Sequence, residues 1–261
     1  MKFIFGLLIY NLKLKFQYGT AEIFKLIAYF VFFSIQITLW NYVFKTDQTH
    51  FGTNINFFQY FTISTVLVAL TSLTSDRLIQ SKYQDGSLIF YLNKPVSMYR
   101  ILFFEDISRA ILSFMFNGIP LIILGILIFN IFKDVNTFNI VLFLVSTLFS
   151  FGLAWCIFYI IGISIVFLKN NEGLIQLRLY LIALFSGAIV PLYILPGPWQ
   201  KIFYLLPFYN LIDTPTRILY SYDLNDIVIK LITQSIWFII FLTITFIINK
   251  LAISKIEIAG G

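Results

Sequence analysis

Apolar positions in this chain come in long uninterrupted blocks rather than in the short periodic patches of a soluble domain. Six blocks carry no charged residue: Leu26–Phe44, Phe51–Ser75, Ala110–Phe132, Val135–Leu168, Leu179–Gln200 and Leu231–Asn249. A helix rises about 1.5 Å per residue against some 30 Å of hydrocarbon, so about 20 apolar residues cross a bilayer. Backbone polar groups in lipid must be paired internally, and the alternation of a barrel strand is absent. The pattern therefore predicts an all-α integral membrane protein with six transmembrane helices.

The segments between the blocks have characters of their own. The first residues are apolar but broken by Asn11, Lys13 and Lys15, with no A-x-A-like cleavage site after them. This predicts a retained helix within residues 1–20, lying at the membrane interface. Residues 76–97 form the longest inner connection, with a turn signal at Asp85-Gly86 and a helix stop at Asn93-Lys94-Pro95. Residues 191–226 hold Pro191, Pro196, Pro198, Pro207 and Pro215, a density that breaks the fifth helix before or near the outer surface. Between these prolines, Trp199 to Ile212 is apolar but too short to cross, which predicts re-entrant or interfacial outer helices. Pro120 predicts a kink in the third span, and Trp40 and Trp199 fit the aromatic belt at the outer interface.

Charge sharpens this picture. Only 11% of the 261 residues are charged and 59% are hydrophobic, which makes lipid the solvent for most of the chain. With the N-terminus in the cytoplasm, 13 of the 18 Lys and Arg residues fall on inner segments; Lys45, Lys133, Lys201, Arg217 and Lys230 fall outside. That bias places both termini in the cytoplasm and explains the net charge of +6 without a nucleic-acid partner. Cys156 and His50 are the only residues of their types, so neither a disulfide framework nor a Cys/His metal cluster is available.

Catalytic signatures are missing. No two of the 13 glycines have the spacing of a phosphate-binding P-loop, and G-x-S-x-G is absent. The chain is read as a non-enzyme. The notable charged cluster is Glu105, Asp106 and Arg109, whose i,i+4 and i,i+3 spacings let both acids reach the arginine on a helix. One reading is an ion-coupling site of a secondary transporter, since ionisable groups inside a membrane default to function. The other is a self-neutralised cluster at the inner interface, favoured because 23 uncharged residues still follow from Ala110. Neutral polar residues in the blocks, among them Gln36, Thr62, Thr65, Asn117, Ser146 and Ser150, suit either a pathway lining or hydrogen bonds between helices.

Two stretches carry a family resemblance. Ile79 to Ser97 reads IQSKYQDGSLIFYLNKPVS, and Phe185 to Leu219 reads FSGAIVPLYILPGPWQKIFYLLPFYNLIDTPTRIL. The acidic residue beside Gly followed by Leu-x-x-Pro-Val-Ser, then the small-Gly, Leu-Pro, Leu-Pro-Phe and Pro-x-Arg succession, resemble the small six-span membrane subunits (permeases) of type-2 ABC exporters. The resemblance implies a single transmembrane permease domain over residues 1–261, with a cytoplasmic coupling helix in 76–97. It implies that Arg77, Lys82, Asp85, Gly86, Lys94 and Pro95 sit at or near the contact with an ATPase. The proline-broken segment 191–226, with Pro191, Pro196, Pro198 and Pro207, would form the outer gate. Two ATPase subunits carrying ATP and Mg, and a second copy of the chain or a homologous permease, are the implied partners in the cell membrane. An exporter of a hydrophobic or amphipathic molecule is the implied function, and a membrane scaffold or enzyme is a third class of reading.

Overall fold

The computed structural model describes residues 2–17, 19–46, 57–92, 97–133 and 135–260, and these form helices and turns with no strand among them. In chain order the helices are α1 (Lys2–Gln17), α2 (Gly19–Thr46), α3 (Phe57–Thr71), α4 (Ser75–Gln84), α5 (Ile89–Leu92), α6 (Met98–Ser113) and α7 (Ile119–Phe129). There follow α8 (Thr137–Ile163), α9 (Ile165–Leu168), α10 (Glu172–Phe185), α11 (Gly197–Phe203), α12 (Asp213–Tyr220) and α13 (Leu224–Gly260). Among the described residues, five helical stretches are long and apolar enough to cross a membrane: Glu22–Val43, Phe57–Gln84, Met98–Phe129, Thr137–Leu168 and Leu224–Lys255.

The fifth predicted block, Leu179–Gln200, does not form one helix. α10 starts earlier, at Glu172, and stops at Phe185 after 14 residues, about 21 Å and short of a bilayer. It starts earlier because Arg178 is tolerated within the helix, its charge met by Asp76 on α4. It stops because Gly187 takes φ +87° and Pro191 follows, after which only a 3₁₀ turn at Leu192–Ile194 and the short α11 form. Chain that lacks i→i−4 bonds over this stretch needs other polar partners, and finds them on neighbouring helices.

α8 is the central column. Its second half is buried on every face, with Leu153, Ala154, Cys156, Tyr159 and Ile163 fully enclosed by α3, α4, α12 and α13. A helix apolar all round is an interior helix, and α8 and α3 have that character. α2 differs: Ile23, Ile27, Val31, Ile35 and Leu39 recur every fourth residue and are exposed, a stripe suited to lipid. α13 exposes a similar series from Val228 through Ile232, Ile236 and Ile240.

Pro120 acts as its position predicts. A π-helical turn spans Phe114–Gly118 between α6 and α7, so the third crossing is irregular just before the residue that lacks an N–H. Most neutral polar residues of the crossings fold back on their own helix. Thr62, Thr65, Thr71 and Thr147 each donate to the carbonyl four residues earlier at 2.7–2.8 Å. That satisfies the hydroxyls without a pathway. Gln36, Ser146 and Ser150 do reach across to other elements.

Candidate functional site

Chemistry concentrates at the two ends of the bundle. At the basic end, α3 stops at Thr71 and the chain restarts as α4 from Ser75. α4 is amphipathic, with Ser75, Asp76 and Ile79 buried and Arg77 exposed. Asp76 anchors it: Oδ2 lies 2.8 Å from Nη2 of Arg178 on α10, and the guanidinium is 3.8 Å over the Phe158 ring of α8. Gly162 lets α8 come close, since a Cβ there would lie 2.8 Å from the Asp76 Cα. Gln80 Nε2 donates to Glu172 Oε2 at 3.1 Å, and Arg77 faces the same carboxylate at 3.9 Å. Gln176 Nε2 also donates to Glu172 Oε1 at 2.9 Å, and the Gln176 and then the Gln80 hydrogen bonds hold the Glu172 carboxyl below its usual value. α4 is thus fixed to α8 and α10 by one buried ion pair and an exposed polar fringe.

Beyond α4 the chain turns sharply. Gly86 takes φ +73°, open to glycine at no steric cost, and Leu88 N–H reaches back to the Lys82 carbonyl at 2.9 Å. Asp85 accepts from the Ser87 N–H at 2.8 Å and lies 3.9 Å from Lys82. Of the residues expected at the ATPase contact, Arg77, Lys82, Asp85 and Gly86 therefore gather on one short turn-bounded element. Lys94 and Pro95 lie outside the described residues. Ile89 and Phe90 were not anticipated: both are exposed on α5, apolar side chains on a loop otherwise rich in polar groups.

The Glu105, Asp106 and Arg109 cluster divides. Glu105 pairs with Arg109 at 2.7 Å as the spacing predicts. Asp106 faces Thr74 instead, accepting from its N–H at 3.2 Å and its hydroxyl at 3.3 Å, while Arg109 donates to the same hydroxyl. Asp106 is fully buried and serves the backbone at the entry to α4, where free N–H groups favour an anion. The cluster is therefore continuous with the α4 junction. α1 is tied to the same helix, Asn11 Nδ2 donating to Ser108 Oγ at 2.9 Å. Between α1, α2, α3 and α6 lies a cavity of about 640 Å³ bordered by Lys15, Glu22, Lys25, Arg77 and Arg109.

The proline-rich end is held by side chains the sequence did not single out. Tyr60 on α3 donates to the Gly187 carbonyl at 2.9 Å and lies 3.0 Å from Asp213 Oδ1, while Asp213 N–H donates to the Ser186 carbonyl at 3.0 Å. Gly187 is required here, because a Cβ would lie 2.5 Å from the Tyr60 hydroxyl. Trp40 is buried and donates to the Ile189 carbonyl at 3.1 Å, so it is an internal strut rather than a belt anchor; Trp199 is exposed. Pro191 and Pro207 are buried and head 3₁₀ turns, whereas Pro196 and Pro198 are exposed around the start of α11. The turn Phe208–Leu211 and α12 then pass through the core.

One residue joins this segment to the crossings. Gln234 on α13 is fully buried; the two hydrogens of its Nε2 are shared among the Ser146 carbonyl, Ser150 Oγ and Asn210 carbonyl, all at 2.9–3.0 Å, and its Oε1 accepts from Ser146 Oγ at 2.8 Å. An amide near the start of the uncharged block Leu231–Asn249 is the available signal for it.

These features define a multi-pass helical membrane protein with a rigidly seated loop at one end and a polar, proline-broken insertion at the other. The family model for the ABC-2 family transporter protein matches residues 20–260, and the chain belongs to that family of ABC transporter membrane permeases. Members lack ATPase domains, and membership implies partnering ATPase subunits. No curated protein matches the chain.

Proposed function

We propose that this permease works with two ATPase subunits, which carry the ATP and Mg, and with a second copy of itself or a homologous permease, to export a hydrophobic or amphipathic molecule. The observation that carries the reading is the α4–α5 element. Its buried face is fixed to α8 and α10 through Asp76 and Arg178, while Arg77, Lys82, Asp85, Ile89 and Phe90 are left toward a partner. A short helix rigidly joined to two others passes a displacement on rather than absorbing it. In this reading Lys94 and Pro95 complete the docking surface. α10 and the segment through Pro191, Pro196, Pro198 and Pro207 complete a sixth crossing and the outer gate, which leaves both termini cytoplasmic. α1 rests on the inner interface, and the charged cavity beside it, where Lys15 and Lys25 are paired with Glu22 and Arg109 with Glu105, suits the polar head of an amphipathic substrate.

The ion-coupled alternative draws little support from Glu105, whose carboxylate is engaged by Arg109. The test is co-purification with neighbouring gene products in mild detergent, then ATP hydrolysis and lipid-dye efflux in proteoliposomes. Asp85→Lys and Gly86→Pro should abolish efflux while the complex still assembles, since proline cannot take φ +73°. Normal efflux by both variants would remove the docking assignment. A chain that purifies with no ATP-binding subunit would remove the exporter reading.

A further inference from the structure

A second cavity lies away from the loop and the gate. It is a groove of about 750 Å³ on the outside of the bundle, between α6, α8 and α13, with Leu70 and Thr71 of α3 at its floor. That volume is in the range of sites that hold a small-molecule ligand, roughly 300–1,000 Å³. Its walls are apolar, from Phe103, Phe104, Phe151 and Leu242, and its rim residues Ile111, Leu148 and Phe246 are exposed.

Two polar features interrupt that surface. Tyr99 and Arg100, at the start of α6, stand at one mouth of the groove. Phe246 meets the Tyr99 ring edge-on at 5.8 Å, and Lys250 follows one turn later on α13, so this is the basic end of the bundle. Arg100 is exposed; its Nε donates to the Tyr99 hydroxyl at 3.1 Å, and no carboxylate pairs with it among the described residues. Farther in, Trp155 lines the groove at 4% exposure, and its indole N–H has no partner among the described residues. Its ring lies 5.0 Å from Phe103, one turn along α6 from Tyr99.

We propose that this groove holds an anionic phospholipid of the surrounding bilayer, its phosphate on Arg100 and Tyr99 and its acyl chain along Phe103, Phe151 and Leu242. An uncharged apolar occupant would leave the Arg100 guanidinium without a counter-ion, and a soluble anion would leave the aromatic walls bare. The phospholipid meets both requirements. Arginine suits a phosphate because its planar fork offers parallel N–H donors. This site is independent of the export reading and holds whether or not the docking assignment does.

The experiment uses the purified chain, with whatever subunits accompany it, in vesicles of phosphatidylcholine and phosphatidylglycerol. Bromine is placed on the acyl chains of one lipid or the other, and the Trp155 signal is taken as the difference between the parent protein and Trp155→Phe. Brominated phosphatidylglycerol should quench that signal with a relative affinity about fivefold above phosphatidylcholine, the factor expected of one basic residue at an anionic surface. Arg100→Gln should equalise the two lipids while phosphatidylcholine quenching persists, which shows that the groove is still formed. As a second readout, native mass spectrometry should show a retained anionic lipid that is lost in Arg100→Gln and kept in Lys255→Gln. Equal quenching in the parent protein, or an unchanged preference in Arg100→Gln, would overturn the proposal. So would a Trp155 signal that neither lipid quenches, the result expected if a second copy's helix fills the groove.

Discussion

Replacing Arg178 by methionine removes the group that lies 2.8 Å from Asp76 and 3.8 Å over the Phe158 ring. The Asp76 side chain is only 1% exposed and would be left as a buried carboxylate without its counter-charge. Breaking one half of a buried pair costs about 3–5 kcal/mol, much of it from the stranded ion. A desolvated cation–π contact is lost with it, worth up to about 2 kcal/mol. Asp76→Asn is milder. Arg178 keeps Phe158, and the asparagine oxygen can still accept from the Arg77 N–H, which Asp76 Oδ1 does now at 2.8 Å. The expected losses are therefore about 5 kcal/mol for Arg178→Met and about 3 kcal/mol for Asp76→Asn. The double variant should fall short of their sum by roughly 1–3 kcal/mol, because the second change removes the charge that the first one stranded. Equilibrium unfolding in mixed micelles, followed by tryptophan fluorescence, measures all three. Strict additivity, or an Asp76→Asn variant as stable as the parent, would refute the view that this pair seats α4.

Four further outcomes are expected. Gln234→Leu should cost about 1–3 kcal/mol and raise hydrogen exchange over residues 208–212, since the Asn210 carbonyl loses one of its donors; unchanged exchange there would mean that the turn is held by packing alone. Gly187→Ala should destabilise by more than about 1 kcal/mol, because φ is +87° and the new methyl meets the Tyr60 hydroxyl. Tyr60→Phe should itself destabilise, because the Gly187 carbonyl and Asp213 lose their hydroxyl donor, but the double variant should lose less than the sum of the two single changes; a purely additive pair would count against the contact. Glu105→Gln should cost about 1 kcal/mol or less and leave ATP-driven efflux intact; gradient-driven transport without ATP that this change abolishes would point to ion coupling. The Gln80 to Glu172 link should persist through neutral pH and weaken only as pH falls below the usual carboxylate range, because the Glu172 carboxyl is held low in the folded chain. Protection factors along α4, corrected for the intrinsic pH dependence of amide exchange, that change nearer neutrality would contradict this.

The crossings that were legible in the sequence were those whose length the bilayer itself imposes. α2, α3, α8 and α13 follow uncharged blocks, and α6 with α7 follows a block whose irregularity Pro120 announced. The fifth block was misjudged because a rule that ends a span at a charge cannot know that Arg178 is neutralised by Asp76, a residue on a different helix. Asp106 lies inside α6 and accepts from Thr74 at the entry to α4 rather than from Arg109, since i,i+3 spacing shows what a side chain can reach and not what competes for it. Trp40 was misread for a similar reason: an aromatic near the end of a span suits an interface equally whether it faces lipid or a neighbouring backbone carbonyl. The candidate docking residues were found through their turn chemistry and family resemblance, whereas Ile89 and Phe90 carry no sequence signal that separates them from ordinary apolar positions.

Gln234 also bears on how the chain is made. Its partners Ser146, Ser150 and Asn210 all precede it, and they leave the ribosome well before α13 does. Until that helix arrives, α8 carries two hydroxyls and the turn at Asn210 carries a carbonyl that lack the shared amide. The final helix therefore acts as a keystone: Ser150 can already donate to the Asn210 carbonyl at 2.8 Å, but the amide that ties this pair and Ser146 together comes only with α13.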